Sequence, residues 1–304
     1  MYVPFLTKRR GGGKSGGGGG DAGGGGTSSG GKGSTGSEPG GSTGTGAGAG
    51  ARTNEPITAS GSSRTATSYG NGGGKIITIP SGQLFQGRME GGGTRAEVFG
   101  TRTFGSGYPG LTGRGVATRP FPFFFWPLSF GVGAGATGAY LHSNDEYGHA
   151  DNTSRPGGPM MTAAFQSNSS TFRILSDNST VVSLISDIMA NCSTSLISQT
   201  SSASPYNDTS DSPPQPEQVV QYYRASSIAL SLDGYNNTAI FEAEGTPDVA
   251  LPSGLDTTLL ACLNDTIGAA APMIDGAGSR WAAVPNNFSL LGLIWLVWLS
   301  YTNI

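Results

Sequence analysis

The stretch "QPEQVVQYYRASSIALSLDGYNN", Gln215–Asn237, decides the fold class. Its punctuation predicts a helix. Pro216 suits a first helical turn, Glu217 favours the positive end of the helix dipole, and Gly234 can stop the helix. Two neighbouring stretches show clearer helical spacing. In "STVVSLISDIMANCSTSLIS", 179–198, apolar residues fall at Val181, Val182, Leu184, Ile185, Ile188, Met189, Cys192 and Leu196, with Ser176, Asp177 and Asn178 available as the N-cap. In "LDTTLLACLNDTIG", 255–268, Asp256 can cap, and Leu255, Leu259, Cys262, Leu263 and Ile267 share a face. Ahead of them, "MMTAAFQSNSSTFRILSD", 160–177, alternates apolar and polar residues around a Ser/Asn turn and predicts a β-hairpin. The expectation is a small, mainly α C-terminal domain: three helices, one disulfide and a preceding hairpin.

The disulfide follows from cysteine usage. The chain has two cysteines, Cys192 and Cys262, each on the inward stripe of its helix. In an oxidising compartment a single pair reads as one bridge. It closes a loop of about 70 residues, for which chain entropy gives about 4 kcal/mol. Three short helices make a small core, so that contribution is large beside it.

The rest of the 304 residues is different text, with 52 glycines and only 12% charged residues. Residues 11–50 are mostly Gly, Ser and Thr, which have too little to bury to offset ordering entropy. The N-terminal half is therefore expected to be mostly disordered: a basic Gly/Ser-rich arm over 1–74, then a Gly/Arg/aromatic segment over 75–120. The net charge of −3 conceals a contrast. Residues 1–120 hold 13 Lys/Arg against 5 Asp/Glu, and residues 121–304 hold 4 against 15.

Two apolar segments bear on the compartment. At the C-terminus the run Leu290–Leu299 is ten residues, about 15 Å of helix, half of the about 30 Å that a bilayer core needs. Small residues at 275–279, a short spacer and this apolar end have the layout of a GPI-attachment signal over 276–304, with Gly276 the preferred attachment residue and Asp275 and Gly278 as rivals. The second segment, "FPFFFWPLSFGVGAGATGAYL" at 121–141, carries no charge and has span length, with basic excess before it and every sequon after it. Pro122, Pro127 and four glycines weaken it as a helix. The alternative is an aromatic, turn-rich block packed against the folded domain, 142–275. The opening "MYVPFLTKRR" is too short in its apolar part for a signal peptide and has its charges in the wrong order. Either an upstream exon supplies the signal, or 121–141 acts as an internal anchor.

Asn-x-Ser/Thr occurs at Asn152, Asn168, Asn178, Asn191, Asn207, Asn236, Asn264 and Asn287, which is 8 of the 11 asparagines after residue 151 and none before it. That density exceeds what abundant Ser and Thr supply by chance and predicts passage through the secretory lumen. Asn264 lies about 200° round the helix from Cys262, which turns its glycan to solvent.

Catalytic and cofactor signals are weak. "GAGATG" at 133–138 matches the dinucleotide fingerprint, but no βαβ context surrounds it. "GGGKS" at 11–15 fails as a P-loop, because Lys8 stands where the first glycine is required. His142 and His149, near Asp145, Glu146 and Asp151, could ligate a divalent ion, but no helical spacing supports a site and a solvated acidic loop is the better reading. No cofactor, metal or catalytic residue is expected, and the chain does not read as an enzyme. Interleaved Arg, Gly and aromatics at 91–110 could bind single-stranded nucleic acid. For an extracellular arm, wall polysaccharide or a membrane surface is the more natural partner.

Several stretches in order, "GQLFQGRMEGGGTRAEVFGTRTFGSGYPG", "FPFFFWP", "SRPGG", "SDNSTVVSLI", the opening stretch and "LPSGLDTTLLACLNDTIG", resemble a glycine-rich family of secreted and cell-surface proteins from basidiomycete fungi, over roughly residues 70–275. The resemblance implies a secretory signal, a variable Gly/Ser arm and a paired-cysteine end, and brings no activity with it. The expected function is that of a cell-surface glycoprotein with a structural or interaction role. The alternatives are a single-span protein anchored through 121–141 and a Gly/Arg-rich RNA-binding protein.

Overall fold

The Gln215–Asn237 stretch is not a helix. A short 3₁₀ turn at Pro216–Gln218 leads into strand β8, Val219–Tyr223, and strand β9, Ile228–Leu232, which pair antiparallel. In this computed structural model the described residues are 52–59, 62–69, 75–131, 138–142, 144–198, 200–209 and 211–273. Earlier in the chain, β1 (Arg52–Ala59) pairs with β2 (Ser62–Tyr69), and β3 (Ile77–Thr78) with β4 (Met89–Glu90). The one-turn helix α1 is Asn144–Tyr147. Then come β5 (Met160–Gln166), β6 (Thr171–Asp177), α2 (Asn178–Cys192), β7 (Ser204–Pro205) and, after β8 and β9, α3 (Thr257–Ala270).

The centre is a five-stranded antiparallel sheet in the order β7-β5-β6-β9-β8. Register fixes its two faces, because side chains alternate along a strand and paired residues share a side. Phe165 pairs with Phe172, Phe172 with Leu232, Ile174 with Leu230, and Tyr223 with Ile228. The hydroxyl of Tyr223 donates to Asn264 on α3 at 2.8 Å, so this face lies under the helices. On the opposite face Leu175, Ala229 and Tyr222 are in register, and the Tyr222 ring lies 5.4 Å from that of Phe104. The described residues therefore form three layers: helices, sheet, and an irregular layer drawn from residues 75–131 and 138–141.

This corrects the expectation of a mainly α domain. Two of the three expected helices exist, capped by Asp177, which accepts from Thr180 N, and by Asp256, which accepts from Leu259 N. The third is a hairpin for reasons the sequence hides. Both faces of the sheet are covered, so all of β9 and four of the five β8 residues are buried, and no period-2 alternation shows. The connecting turn, residues 224–227, holds no Gly, Pro, Asn or Asp. Arg224, Ala225 and Ser226 sit consecutively in the left-handed region, at φ 49°, 50° and 59°, a conformation disfavoured for side-chain-bearing residues and sustained by surrounding contacts.

The expectation of a mostly disordered N-terminal half is corrected for residues 75–131, which are packed. Residues 98–101 run antiparallel along β8: Tyr222 N donates to Thr101 O at 2.9 Å, Gly100 N to Tyr222 O at 2.9 Å, and Arg224 N to Val98 O at 2.7 Å. This covers the sheet edge that would otherwise offer free backbone groups. Phe121, Phe123, Phe125, Trp126, Leu128 and Phe130 are buried. The described part of 121–141 is thus the aromatic, turn-rich block weighed above and not a span. No helix among the described residues is long and apolar enough to cross a membrane.

Irregular backbone must still satisfy its carbonyls, and here arginine does so. Arg114 donates to Glu242 O at 2.6 Å, Ala239 O at 3.1 Å and Ile240 O at 3.4 Å. Arg119 reaches Thr112 O and Gly113 O, each at 3.0 Å, and Gly105 O. Arg95 reaches Ala271 O at 2.6 Å, Arg155 reaches Pro127 O at 2.9 Å, and Arg88 reaches Arg119 O. Glycine allows the close approaches. A Cβ on Gly105, at φ 97°, would lie 2.2 Å from Gly115 O, and one on Gly268 would lie 1.8 Å from the Phe99 ring.

Candidate functional site

Cys192 ends α2, Cys262 lies within α3, and the two form a disulfide with S–S 2.01 Å and Cα–Cα 5.8 Å. Both residues are buried, and the Thr266 hydroxyl stands 3.6 Å from Cys192 Sγ. Enclosed between helices, the bond is a structural cross-link, because exchange requires a thiolate to reach a sulfur.

The most concentrated chemistry surrounds Arg224, which is fully buried in the β8–β9 turn. Nε donates to Ser227 Oγ at 2.7 Å. Nη1 donates to Thr180 Oγ1 at 2.8 Å and Pro272 O at 2.7 Å. Nη2 donates to Asp177 Oδ2 at 2.7 Å and Ser176 Oγ at 3.3 Å. All five N–H groups are used, and the guanidinium lies over the Phe125 ring, 3.4 Å from its centroid. Asp177 also caps α2. One ion pair thereby ties the turn, the start of α2, the end of α3 and the aromatic block. Such satisfaction is what a buried charge requires. No substrate can reach this node, so its role is to hold the fold. Nothing in "YYRASS" marks the arginine as buried, because the partners come from four separate segments.

The histidines and acids at 142–151 do not form a metal centre. His142 Nδ1 is 3.0 Å from Phe130 O, Glu146 pairs with Arg88, and His149 Nδ1 is 2.9 Å from Asp208 Oδ2. Asp208 also accepts from Ala150 N at 3.1 Å. His142, Glu146 and His149 each face a different neighbour, and among the described residues no three His, Cys, Asp or Glu side chains are grouped to hold a metal. Beside them, burial pushes the Tyr147 hydroxyl up to about 12, an effect opposed by Arg88. Burial lowers Arg155 to about 10. Both are signatures of packing: Tyr147 donates to Val116 O at 2.9 Å, and Arg155 to Ser129 Oγ at 2.8 Å.

A groove of about 330 Å³ runs along the β5 edge, between that strand and residues 198–204. Thr162, Gln166, Arg173, Ser201 and Ser204 contribute its polar lining. Arg173 is held by a bidentate bond to Asp233, at 2.8 and 2.9 Å, so its charge is matched. Thr162 Oγ1 is buried without a hydrogen-bond partner. The groove offers hydroxyls and one amide, and no nucleophile–base pair among its lining residues.

The sequons divide. Asn168, Asn178, Asn207 and Asn236 are exposed. Asn152 is half-buried, with Nδ2 donating to Tyr147 O at 3.1 Å. Asn264 does not simply face solvent: it is half-buried, and its Oδ1 accepts from Tyr223. Asn191 is buried, with Nδ2 donating to Asp187 O at 2.8 Å. Gly276, Asn287, the 276–304 tail, residues 1–51 and most of "GAGATG" lie outside the described residues. Against known protein families, curated proteins and solved structures, the chain matches none.

Proposed function

We propose that this chain is a cell-surface glycoprotein whose folded unit, residues 75–273, serves a structural or interaction role outside the cytosol. The observation that carries this is the buried Cys192–Cys262 bond, which uses every cysteine in the chain and points to an oxidising setting. Four exposed sequons and the small-residue, spacer and apolar-tail layout around Gly276 favour the secretory route and a lipid tether. The resemblance to the basidiomycete surface family points the same way. The partner is a wall polysaccharide or the membrane surface, for which the hydroxyl-lined β5 groove is one place of contact. The RNA-binding alternative loses its main support, because the arginines at 88, 95, 102, 114 and 119 donate to the protein's own carbonyls.

The test is made on protein from its native cells. Endoglycosidase increases gel mobility, phosphatidylinositol-specific phospholipase releases the protein from membranes, and thiol-blocking reagent adds to no cysteine before reduction. Recovery from the cytosol with both thiols free and no mobility change would sink the proposal.

A further inference from the structure

We infer that the fold itself sorts the sequons: Asn168, Asn178, Asn207 and Asn236 carry N-linked glycans, and Asn191 stays bare in every chain that holds the Cys192–Cys262 bond. The inference rests on the secretory assignment above and goes beyond it.

The chemistry sets the requirement. Asn Nδ2 attacks the anomeric carbon of an oligosaccharide carried on a polyisoprenyl pyrophosphate. The N–C1 bond forms, the C1–O bond to pyrophosphate breaks, Nδ2 loses one proton, and the lipid pyrophosphate leaves. Afterwards Nδ2 has one hydrogen and a bulky polar substituent that must reach water. A sequon on the unfolded chain can be modified before folding, so the folded structure decides which modified chains can close.

Asn191 cannot meet that requirement. It is 4% exposed and lies seven residues after Leu184 and three after Ile188, on the same inward stripe of α2. Its Nδ2 is spent on Asp187 O within the helix. A sugar there would occupy the space where α2 meets its neighbours, one residue before the cysteine that must reach α3. Glycosylation at Asn191 and closure of the bridge are therefore mutually exclusive.

The other four sit where sugars have room, two at each end of the sheet. Asn168 lies in the turn from β5 to β6. Asn236 follows β9, at the same end, because Leu232 pairs with Phe172. Asn178 opens α2. Asn207 follows β7, and Tyr206 N donates to Met160 O opposite Asp177, at the other end. At Asn207 the side-chain Oδ1 is held by Thr209 N and Oγ1, at 3.0 and 2.7 Å.

The test uses the full chain secreted from a eukaryotic host, with thiols blocked and bridged molecules isolated. Peptide:N-glycosidase in heavy-oxygen water converts each formerly glycosylated Asn to a labelled Asp, read by peptide mass spectrometry. The expected label is at residues 168, 178, 207 and 236 and absent from 191. Thr209→Ala then removes one glycan step in gel mobility, and Ser193→Ala, which deletes the Asn191 sequon, removes none. Label at Asn191 in bridged chains overturns the sorting and leaves the secretory assignment standing. Absence of label at all seven described sequons overturns both.

Discussion

The two layers that cover the sheet reach the same degree of burial by opposite means. The helical side is locally encoded: α2 and α3 have apolar stripes, aspartate caps and one covalent link. The glycine-rich side has almost no regular structure between residues 91 and 131, yet most of its aromatic side chains, Phe99 and Phe124 excepted, are as deeply buried. What replaces the hydrogen-bond ladder there is a set of arginines that donate to backbone carbonyls, together with rings packed on one another and on guanidinium groups. Phe85 lies 4.8 Å from Trp126 and 5.1 Å from Phe121, and Arg88 lies 4.3 Å from the Phe121 centroid. Order on this side is tertiary in origin, so it should fail in different ways.

The largest effect is expected where both layers meet. Arg224→Ala leaves Asp177 as a buried charge without its partner and costs about 3–5 kcal/mol. Urea unfolding followed by fluorescence and by far-UV circular dichroism should show both layers lost together. If the two signals separate, the layers are not joined through this node. Next, replacing both Cys192 and Cys262 by Ala removes the 70-residue cross-link and costs about 4 kcal/mol or somewhat less, acting mainly on the unfolded chain. Midpoint denaturant should fall, while the structure at low denaturant is kept.

A smaller and one-sided effect is expected from Arg114→Ala, which frees three carbonyls around Ala239–Glu242. With charge-assisted bonds at about 1.5–3 kcal/mol, the loss should fall in that range. Hydrogen exchange should rise at 239–242 and not in α2 or α3. The smallest effect has the opposite sign. Burial raises the Glu90 carboxyl above its ordinary value, so the folded protein holds that proton more tightly than the unfolded chain does. Its contribution is full at low pH and is lost as pH rises through the raised value. Glu90→Gln should therefore be more stable than the parent at neutral pH, with the gap closing in mild acid, as thermal melts at pH 4 to 7 would report.

Legibility in the sequence follows the same division. The β5–β6 hairpin and the helix starts at Asp177 and Asp256 are visible in a single window, because each depends on residues a few positions apart, and the pairing of the cysteines, 70 residues apart, is visible because the chain has two. The β8–β9 hairpin is not, since its turn is held in the left-handed region by a buried arginine whose partners are Ser176, Asp177, Thr180 and Pro272. Nor is the use of the basic residues. A run of Arg and Gly between residues 88 and 119 has the composition of a solvated arm, and only the fold reveals that the donors face inward. The sequons were legible as text, but their separation into exposed and buried members depends on which face of α2 meets the sheet.

By itself the sequence determined where two helices begin, that two cysteines lie on their inward faces, and that the acidic portion is dense in glycosylation signals. These rest on periodicity and local chemistry. The tertiary structure alone decided that Val219–Leu232 is sheet, that glycine-rich text forms a packed layer, and that Asn191 is enclosed. The physical reason is that those outcomes depend on carbonyls, rings and charges brought together from positions far apart in the chain, which no local pattern records.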